Sequence, residues 1–289
     1  SSSRVANPTT QGVTLRGLAA SGSSRALVLA DDVPLNDPVG GWIYWNRIPV
    51  TAIQEVAVAR GASGDIHGAD ALAGVVSLKG LRASGVRLLA EGGSHATARG
   101  SAYAGTRRGR TGLFATGEGF TTDGFIITAP ESRGPIDTPA GSRYGSAHAA
   151  IDLSQSDVQF ALRGSHFGES RRNGTPVQRN ATRVTLLSAS VAGSPGWSLR
   201  GYAQTQRYEQ TFSAVDAART SERQTSAQDV HATLIGGTVD WGWSNGTRSV
   251  SASASGRFVD ADLEDTSFNM AGVPLAPTVR TPNQGLLSA

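Results

Sequence analysis

From residue 84 onward, the chain consists of segments of about ten residues in which apolar and polar side chains alternate. Successive side chains of a β-strand point to opposite faces, so this period of two predicts strands with one apolar and one polar face. The clearest segment is 249–258, whose apolar face is formed by Val250, Ala252, Ala254 and Phe258. The alternation recurs at 158–166, 198–206 and 235–243.

The composition is compatible with membrane-crossing strands. No apolar run approaches the ~20 residues that a membrane-spanning helix needs, so any crossing would be made by strands. The hydrophobic content of 38% is sufficient, because only every second residue of a barrel strand faces lipid. The chain has no cysteine, which fits passage through an oxidising compartment.

The predicted strands are joined by connections that alternate in length. Tight turns are expected at 107–110, 155–157, 194–196 and 244–246, and long polar loops at 121–143, 170–180 and 212–227. Outer-membrane barrels have short periplasmic turns and long extracellular loops, so we expect this arrangement here. Residues after 261 are expected to begin another long loop. Nine strands are predicted, at roughly 85–94, 97–107, 110–121, 143–154, 157–168, 181–193, 196–210, 228–243 and 247–260.

Residues 25–80 have a different character, with buried-type strands separated by a turn-rich loop. Four motifs follow in order: LVLADDVPLND, GGWIYWNRIP, IQEVAVARG and GADALAGVVSLK. Together they resemble the plug domain of TonB-dependent outer-membrane receptors, and the resemblance covers residues 13–80. It implies a small α+β plug, residues 1–80, followed by an antiparallel, all-β membrane β-barrel from residue 81 to 289. Barrels of this family have about 22 strands, so we expect the chain to be an internal part of a longer receptor.

The resemblance also implies a function. Such a receptor imports a scarce ligand (a siderophore, cobalamin, a similar chelate or an oligosaccharide) through energy-coupled rearrangement of the plug. The implied partners are a TonB-type energy-transducing inner-membrane protein complex, the ligand, and the lipid and lipopolysaccharide around the barrel. The implied location is the outer membrane of a Gram-negative type bacterium. We therefore expect binding and gated release, with no catalysis, no cofactor and no resident metal.

The aromatic tip of the plug loop supplies the best ligand-binding candidates. The tip consists of Trp42, Tyr44 and Trp45, and in the resembled family this loop reaches toward the cavity below the extracellular loops. An equally weighted alternative is that these rings pack the plug against the barrel wall, because buried aromatic side chains serve both purposes. Further ligand candidates in the same apical region are Asn36, Asp37, Asp65 and His67.

Two Arg-Gly pairs are candidates for a plug-barrel lock. Arg16 and Arg60 each precede a glycine at the end of a strand-like segment, and arginines at these positions of the resembled family pair with barrel glutamates. The alternative is an ordinary solvated arginine at a strand end. Asp32 stands where the family usually has glycine, so we expect either an adapted turn or backbone strain at that position.

Other classes of function find little support in the sequence. The five histidines lack metalloprotease spacing, and there is no nucleotide-binding loop and no nucleophile elbow, so an enzyme is disfavoured. The net charge of +3 comes from scattered arginines rather than a basic patch, which argues against nucleic acid as a partner. Two rivals remain: a β-rich solenoid adhesin, although no repeat of 20 to 50 residues is found, and an outer-membrane enzyme on a small barrel.

Overall fold

The computed structural model describes residues 12, 13, 15, 24–61, 71 and 73–288 of the chain. These residues form two sheets. The smaller sheet belongs to the plug and has the order β2-β1-β4-β3, with β1 at Ala26–Ala30, β2 at Val33–Pro34, β3 at Ile53–Arg60 and β4 at Gly74–Gly80. Helical structure in the described residues is limited to short 3-10 turns at Trp45–Arg47, Val50–Ala52 and Pro130–Ser132, and none of it is long and apolar enough to cross a membrane.

The plug core forms around β1. Every residue of this strand is apolar (ALVLA), as expected of a strand that is covered on both faces. It pairs in parallel with β4, from Ala26↔Gly74 to Ala30↔Leu78. Val28, Leu35, Ile43, Val76 and Leu78 pack into one buried cluster. β3 pairs with β4 but is exposed along nearly its whole length.

The larger sheet is antiparallel, and each long strand pairs with the next one along the chain. This order rules out a solenoid of stacked parallel strands for the described residues. Its strands are β5 (Gly85–Gly93), β6 (Thr97–Arg108), β7 (Thr111–Phe125), β8 (Ala140–Gln155), β9 (Val158–Arg172), β10 (Arg179–Gly193), β11 (Trp197–Val215), β12 (Glu222–Ser244), β13 (Ser249–Ser267), β14 (Thr278–Arg280) and β15 (Asn283–Ser288). The nine predicted long strands are therefore confirmed as β5 to β13.

The two faces of this sheet differ as the alternation predicts. The outer face carries exposed apolar side chains, among them Leu199, Ile235, Val239, Trp241, Trp243, Val250 and Phe258. The inner face carries buried polar side chains, among them Ser101, Glu118, Ser146, Glu169, Thr182, Gln204 and Gln206, together with aromatic rings. The plug covers this inner face, so the sheet is a curved wall with an apolar exterior and a polar interior.

The predicted long loops are shorter than expected, because the strands extend beyond the apolar band. The connections that the structure contains are 126–139, 173–178 and 216–221. The loop predicted at 212–227 is wrong in extent, since the β11 and β12 ladder continues to Val215↔Glu222. Residues after 261 also differ from expectation: β13 runs to Ser267, and β14 and β15 return to pair with it.

The long connections pack against one another. The carboxylate of Asp137 in loop 126–139 accepts two hydrogen bonds from the guanidinium of Arg219, at 2.8 and 2.5 Å, across the intervening β9 and β10 hairpin. These bonds hold the pKa of Asp137 well below its usual range. Thr138 N–H also donates to Gly174 O at 2.9 Å. The connections at this end therefore form one joined layer.

Candidate functional site

The plug meets the barrel wall first through the turn between β1 and β2. Ala30 pairs with Val33 across a two-residue turn, and both turn residues have positive φ, +46° at Asp31 and +65° at Asp32. Two-residue hairpins favour such turns, and aspartate is among the few side chains that tolerate this conformation. Of the two expected alternatives, the structure has the second, because Asp32 keeps the left-handed conformation that glycine adopts most easily. We call Asp31 and Asp32 the acidic turn.

The acidic turn forms ion pairs with the wall. Asp31 lies 3.3 Å from Arg163 of β9, and Asp32 lies 3.0 Å from Arg200 of β11. Lys79 of β4 and Arg82, just after β4, approach the carboxylates of Asp32 and Asp31 at 2.5 and 2.6 Å. These side chains retain between 17% and 44% of their exposure, so the pairs are partly hydrated rather than sealed.

The charge state of the acidic turn follows from these neighbours. Burial alone would raise the pKa of Asp31, but the guanidinium of Arg82, the N–H of Gly80 and the charge of Arg163 together lower it below its ordinary value. Asp31 is therefore ionised at neutral pH. The charges are reversed relative to the predicted plug-barrel lock, because here the plug contributes carboxylates and the barrel contributes arginines.

The second level of contact involves Arg47, which follows the aromatic tip. Arg47 is 3% exposed and donates to Gln204 Oε1 of β11 at 2.8 Å and to Leu35 O at 3.4 Å. Burial lowers its pKa to about 10, so the guanidinium remains charged. Its neighbour Asn46 donates to Glu169 of β9 at 3.1 Å. The sequence signal for this contact is an arginine within the largely aromatic and apolar segment YWNRIP.

The third level is organised by Asp37, which is 3% exposed. One carboxylate oxygen accepts hydrogen bonds from Val39 N–H at 2.9 Å and Gly40 N–H at 2.7 Å. The other accepts from Tyr44 Oη at 3.2 Å and from Gln206 Nε2 of β11 at 2.6 Å. Burial nevertheless raises the pKa of Asp37. One side chain thus closes the plug loop and ties it to the wall.

The aromatic tip completes the contact with the wall. Trp42 lies 5.7 Å from Tyr208 of β11 between ring centroids, and Tyr44 lies 6.1 Å from Phe167 of β9. Phe120, Tyr144 and Val184 belong to the same buried cluster as Tyr44. Of the three predicted tip residues, Trp45 alone is exposed, at 40%. The packing alternative thus describes Tyr44 and most of Trp42, whereas Trp45 is not covered by the described residues.

The remaining predicted residues have separate positions. Asn36 is engaged in the plug backbone, since Oδ1 accepts from Val28 N–H at 2.9 Å and Nδ2 donates to Ala26 O at 3.1 Å. Arg60 is exposed at the end of β3, and no ion pair reaches it from the described residues. Arg16, Asp65 and His67 lie outside the described residues. Within the described part of the chain, no three acidic, histidine or cysteine side chains converge as metal ligands.

The four contacts with β11 follow one another along its inner face. From the tight-turn end toward the long-loop end, Arg200 meets Asp32, Gln204 meets Arg47, Gln206 meets Asp37, and Tyr208 meets Trp42. These positions have the same parity, so they share one face of the strand. Fold and site therefore define a membrane-type β-barrel wall docked onto a plug.

Comparison with known proteins identifies the family of this plugged wall. Residues 2–75 match the model of the TonB-dependent Receptor Plug Domain. The vitamin B12 transporter BtuB of Vibrio vulnificus strain CMCP6 is 43% identical over 56 residues, which are 19% of this chain and 9% of that protein. The same transporter of strain YJ016 is 37% identical over 62 residues, 22% of this chain and 10% of that protein.

Solved structures match over nearly the whole chain. The ferric yersiniabactin uptake receptor FyuA from Yersinia pestis has a TM-score of 0.66 and 14% identity, covering 97% of this chain and 55% of that one. The copper transporter OprC has a TM-score of 0.69 and 12% identity, covering 90% and 43% respectively. Residues 2–75 thus match the plug domain of TonB-dependent receptors, and the described residues have the fold of such a plug followed by part of a barrel. The chain spans less than two thirds of the length of these relatives.

Proposed function

We propose that the protein imports a scarce ligand across the outer membrane by energy-coupled rearrangement of its plug. The supporting observation is the ordered contact along β11: a partly hydrated ionic contact at the tight-turn end, and a loop closed by Asp37 with an aromatic tip at the other. A pull on the plug from the tight-turn side acts first on the weaker contact. Ligand binding at the long-loop end is thereby separated from the release of the plug, which starts at the tight-turn end.

The ligand proposed is a metal chelate such as a ferric siderophore or cobalamin, or an oligosaccharide. Relatives of the plug are named as vitamin B12 transporters, and a structural neighbour is named as a ferric yersiniabactin uptake receptor. Exposed Trp45 is the apical side chain offered to the ligand, with Trp42 and Tyr44 behind it. Asn36 and Asp37 support the loop, and Asp65 and His67 stay predicted ligand residues.

The proposed setting follows from the same assignment. The plug comprises residues 1–80 and the barrel residues 81–289, which agrees with β4 ending at Gly80 and β5 beginning at Gly85. The tight turns face the periplasm, where a TonB-type complex of the inner membrane supplies energy. The protein is a transporter rather than an enzyme, and it lies in the outer membrane of a Gram-negative type bacterium.

Uptake measurements test this proposal. Cells lacking their own receptors and expressing the full-length protein are offered labelled cobalamin and a panel of ferric siderophores. We expect accumulation of at least one ligand, abolished when an uncoupler collapses the inner-membrane potential while surface binding continues. Accumulation that is unaffected by the uncoupler would contradict energy coupling, and absence of binding across the panel would contradict the ligand class.

Arg60 and Arg16 remain proposed members of a plug-barrel lock. Arg60 lies on the exposed strand β3, where a barrel carboxylate outside the described residues would meet it. Arg60→Ala in the full-length receptor is then expected to loosen the plug and to increase entry of large antibiotics, because an uncompensated shielded carboxylate is costly. Arg108→Ala, at the end of β6 next to a tight turn, is the control. Equal antibiotic sensitivity of the two variants at matched receptor levels would make Arg60 an ordinary solvated strand end.

A further inference from the structure

Two carboxylates, one on the plug and one on the barrel wall, lie beside the same two arginines. Arg82 Nη2 lies 2.6 Å from Asp31 of the acidic turn, and Arg82 Nε lies 3.6 Å from Asp152 of β8. Arg163 Nε lies 3.3 Å from Asp31, and Arg163 Nη2 lies 3.8 Å from Asp152. We call Arg82 and Arg163 the shared arginines. In this state both lie closer to the plug carboxylate than to the wall carboxylate.

The bonding capacity of Asp152 is not filled by its present neighbours. Its Oδ2 accepts one long hydrogen bond, at 3.5 Å, from Arg107 Nη2 of β6. Its Oδ1 is buried and has no hydrogen-bond partner among the described residues. The Nε atoms of both shared arginines are also buried and lack a hydrogen-bond partner in this part of the chain. Buried polar atoms without partners are unfavourable, so a rearrangement that joins these groups would be favoured once the plug carboxylate leaves.

The wall positions Asp152 independently of the plug. Asp152 pairs with Gly112 in the ladder of β7 and β8, and Gly112 pairs with Arg107 in the ladder of β6 and β7. Because Gly112 has no side chain, Arg107 can reach across β7 to Asp152; a Cβ atom at Gly112 would lie 3.1 Å from Arg107 Nη2. The ring of Phe114 faces two guanidinium groups, with the Cζ atoms of Arg82 and Arg107 at 5.5 and 5.6 Å from its centroid.

Arg82 belongs to the link between plug and barrel, and the wall holds this link on either side of it. Tyr103 Oη of β6 donates to Leu81 O and to Ala83 O, at 3.3 and 2.8 Å. Leu81, Tyr103 and Phe114 also belong to one buried cluster. A displacement of the acidic turn is therefore expected to remove the plug carboxylate from the site while both shared arginines stay with the wall.

We propose that Asp152 receives the shared arginines when the plug moves away, and that it thereby makes release of the plug easier. Without a second carboxylate, the departure of Asp31 would leave two arginines uncompensated in a shielded site, which is strongly unfavourable. With Asp152 in place, a small side-chain movement gives each guanidinium a new partner, and Asp152 Oδ1 gains the hydrogen bond that it lacks. The two carboxylates thus compete for the same arginines. This inference rests on the proposed function, and it assigns to a wall residue the control of how readily the plug is released.

The competition predicts an effect opposite in sign to that of a lock residue. Asp152 weakens the hold of Asp31 on the shared arginines while the plug is in place, and it stabilises them after release. Asp152→Asn should therefore tighten the plug, so that uptake at saturating ligand is about tenfold slower, with unchanged ligand affinity and unchanged exclusion of antibiotics. Asp152→Glu keeps the charge and should import at close to the wild-type rate. Asp157→Asn, at an exposed position in the tight turn between β8 and β9, is the matched control.

A double variant shows whether the effect of Asp152 passes through the plug carboxylate. In Asp31→Asn the shared arginines already belong to Asp152 before release, so adding Asp152→Asn should slow uptake no further. Uptake that falls by the same factor in both backgrounds would mean that Asp152 acts only on the fold of the wall, and it would overturn the inference. Wild-type uptake by Asp152→Asn, or greater entry of antibiotics at matched receptor levels, would overturn it as well.

Mechanical pulling tests the same inference without a ligand. The purified full-length receptor in a lipid bilayer is pulled from the plug end with a force probe, and the force at which the plug first yields is recorded. Asp152→Asn should raise this force, and Asp31→Asn should lower it. An unchanged or lower force in Asp152→Asn would contradict the inference even if ligand is imported. A raised force in Asp152→Asn would support it even if the wild type imported none of the ligands offered, and that failure would count only against the proposed function.

Discussion

Cells expressing the full-length receptor with both Asp31→Asn and Asp32→Asn are expected to admit antibiotics that are normally too large for the outer membrane. Asparagine also tolerates the left-handed turn, so the hairpin is kept. Arg200 then loses its charged partner, and Arg163 keeps only Asp152 at 3.8 Å. Breaking a fully buried pair costs about 3 to 5 kcal/mol, and these partly hydrated pairs should cost about 1 to 2 kcal/mol each. The population with a loosened plug should then rise roughly 30-fold or more.

Antibiotic sensitivity at matched receptor levels is the measurement for the acidic turn. Asp123→Asn is the control, because it breaks the exposed pair with Arg172, whose side chains retain 70% and 53% of their exposure. Combining Asp32→Asn with Arg200→Gln should cost less than the sum of the single changes, because both remove the same contact. Sensitivity equal to that of the control, or strict additivity of the pair, would show that the acidic turn does not hold the plug.

Asp37→Ala is expected to abolish tight ligand binding while the plug still excludes antibiotics. The change removes the acceptor of four donors: Val39 N–H and Gly40 N–H, which are partly buried, and Tyr44 Oη and Gln206 Nε2, which are buried. Unsatisfied buried groups cost about 1 to 3 kcal/mol each, so the loop should rearrange. Ligand affinity should then fall by about 100-fold, which corresponds to about 2.7 kcal/mol. The contacts of the acidic turn and of Arg47 are untouched, and they should keep the plug in place.

Asp37→Asn is the matched variant and should bind ligand nearly normally. The side-chain oxygen of asparagine can still accept hydrogen bonds from the N–H groups of the plug loop. Gln206 Oε1 has no hydrogen-bond partner among the described residues. Once the glutamine amide rotates, the NH₂ group of the asparagine can donate to it. Burial raises the pKa of Asp37, so a neutral side chain is less unfavourable at this position than at an exposed aspartate. Equilibrium binding to intact cells and antibiotic sensitivity are measured together. Wild-type ligand affinity in Asp37→Ala would show that the plug loop closed by Asp37 does not take part in ligand recognition.

The fold was predictable wherever strands meet lipid. Ile235, Val239 and Trp241 alternate with polar residues, so the sequence predicts a strand from residue 235 onward in β12. Above the apolar band, both faces become polar, and the alternation of hydropathy disappears even though the ladder continues. Pairs such as Thr211↔Ala227 carry no hydropathy signal, which is why the predicted loop at 212–227 was too long.

The contacts of the candidate site were harder to predict from the sequence than the strands were. The sequence predicts a turn at Asp32, but the pairing of Asp32 with Arg200 joins positions 168 residues apart. The direction in which a plug turn faces depends on how two sheets dock. Periodicity within either sheet does not contain that information. Tyr44 illustrates the same limit, since an aromatic residue in a loop suits a ligand and a wall equally until its neighbours are known.

The ordered contacts along β11 also have a mechanical consequence for the proposed import. A force applied at the tight-turn end loads Asp32 and Arg200 before it loads Arg47, Asp37 or Trp42, so the contacts rupture one after another rather than together. Sequential rupture proceeds at a low force that is set by the single contact under load. A plug held in this way yields first at its tight-turn end, where the ionic contact is partly hydrated. The direction of transport would then be encoded in the order of bonds along one strand.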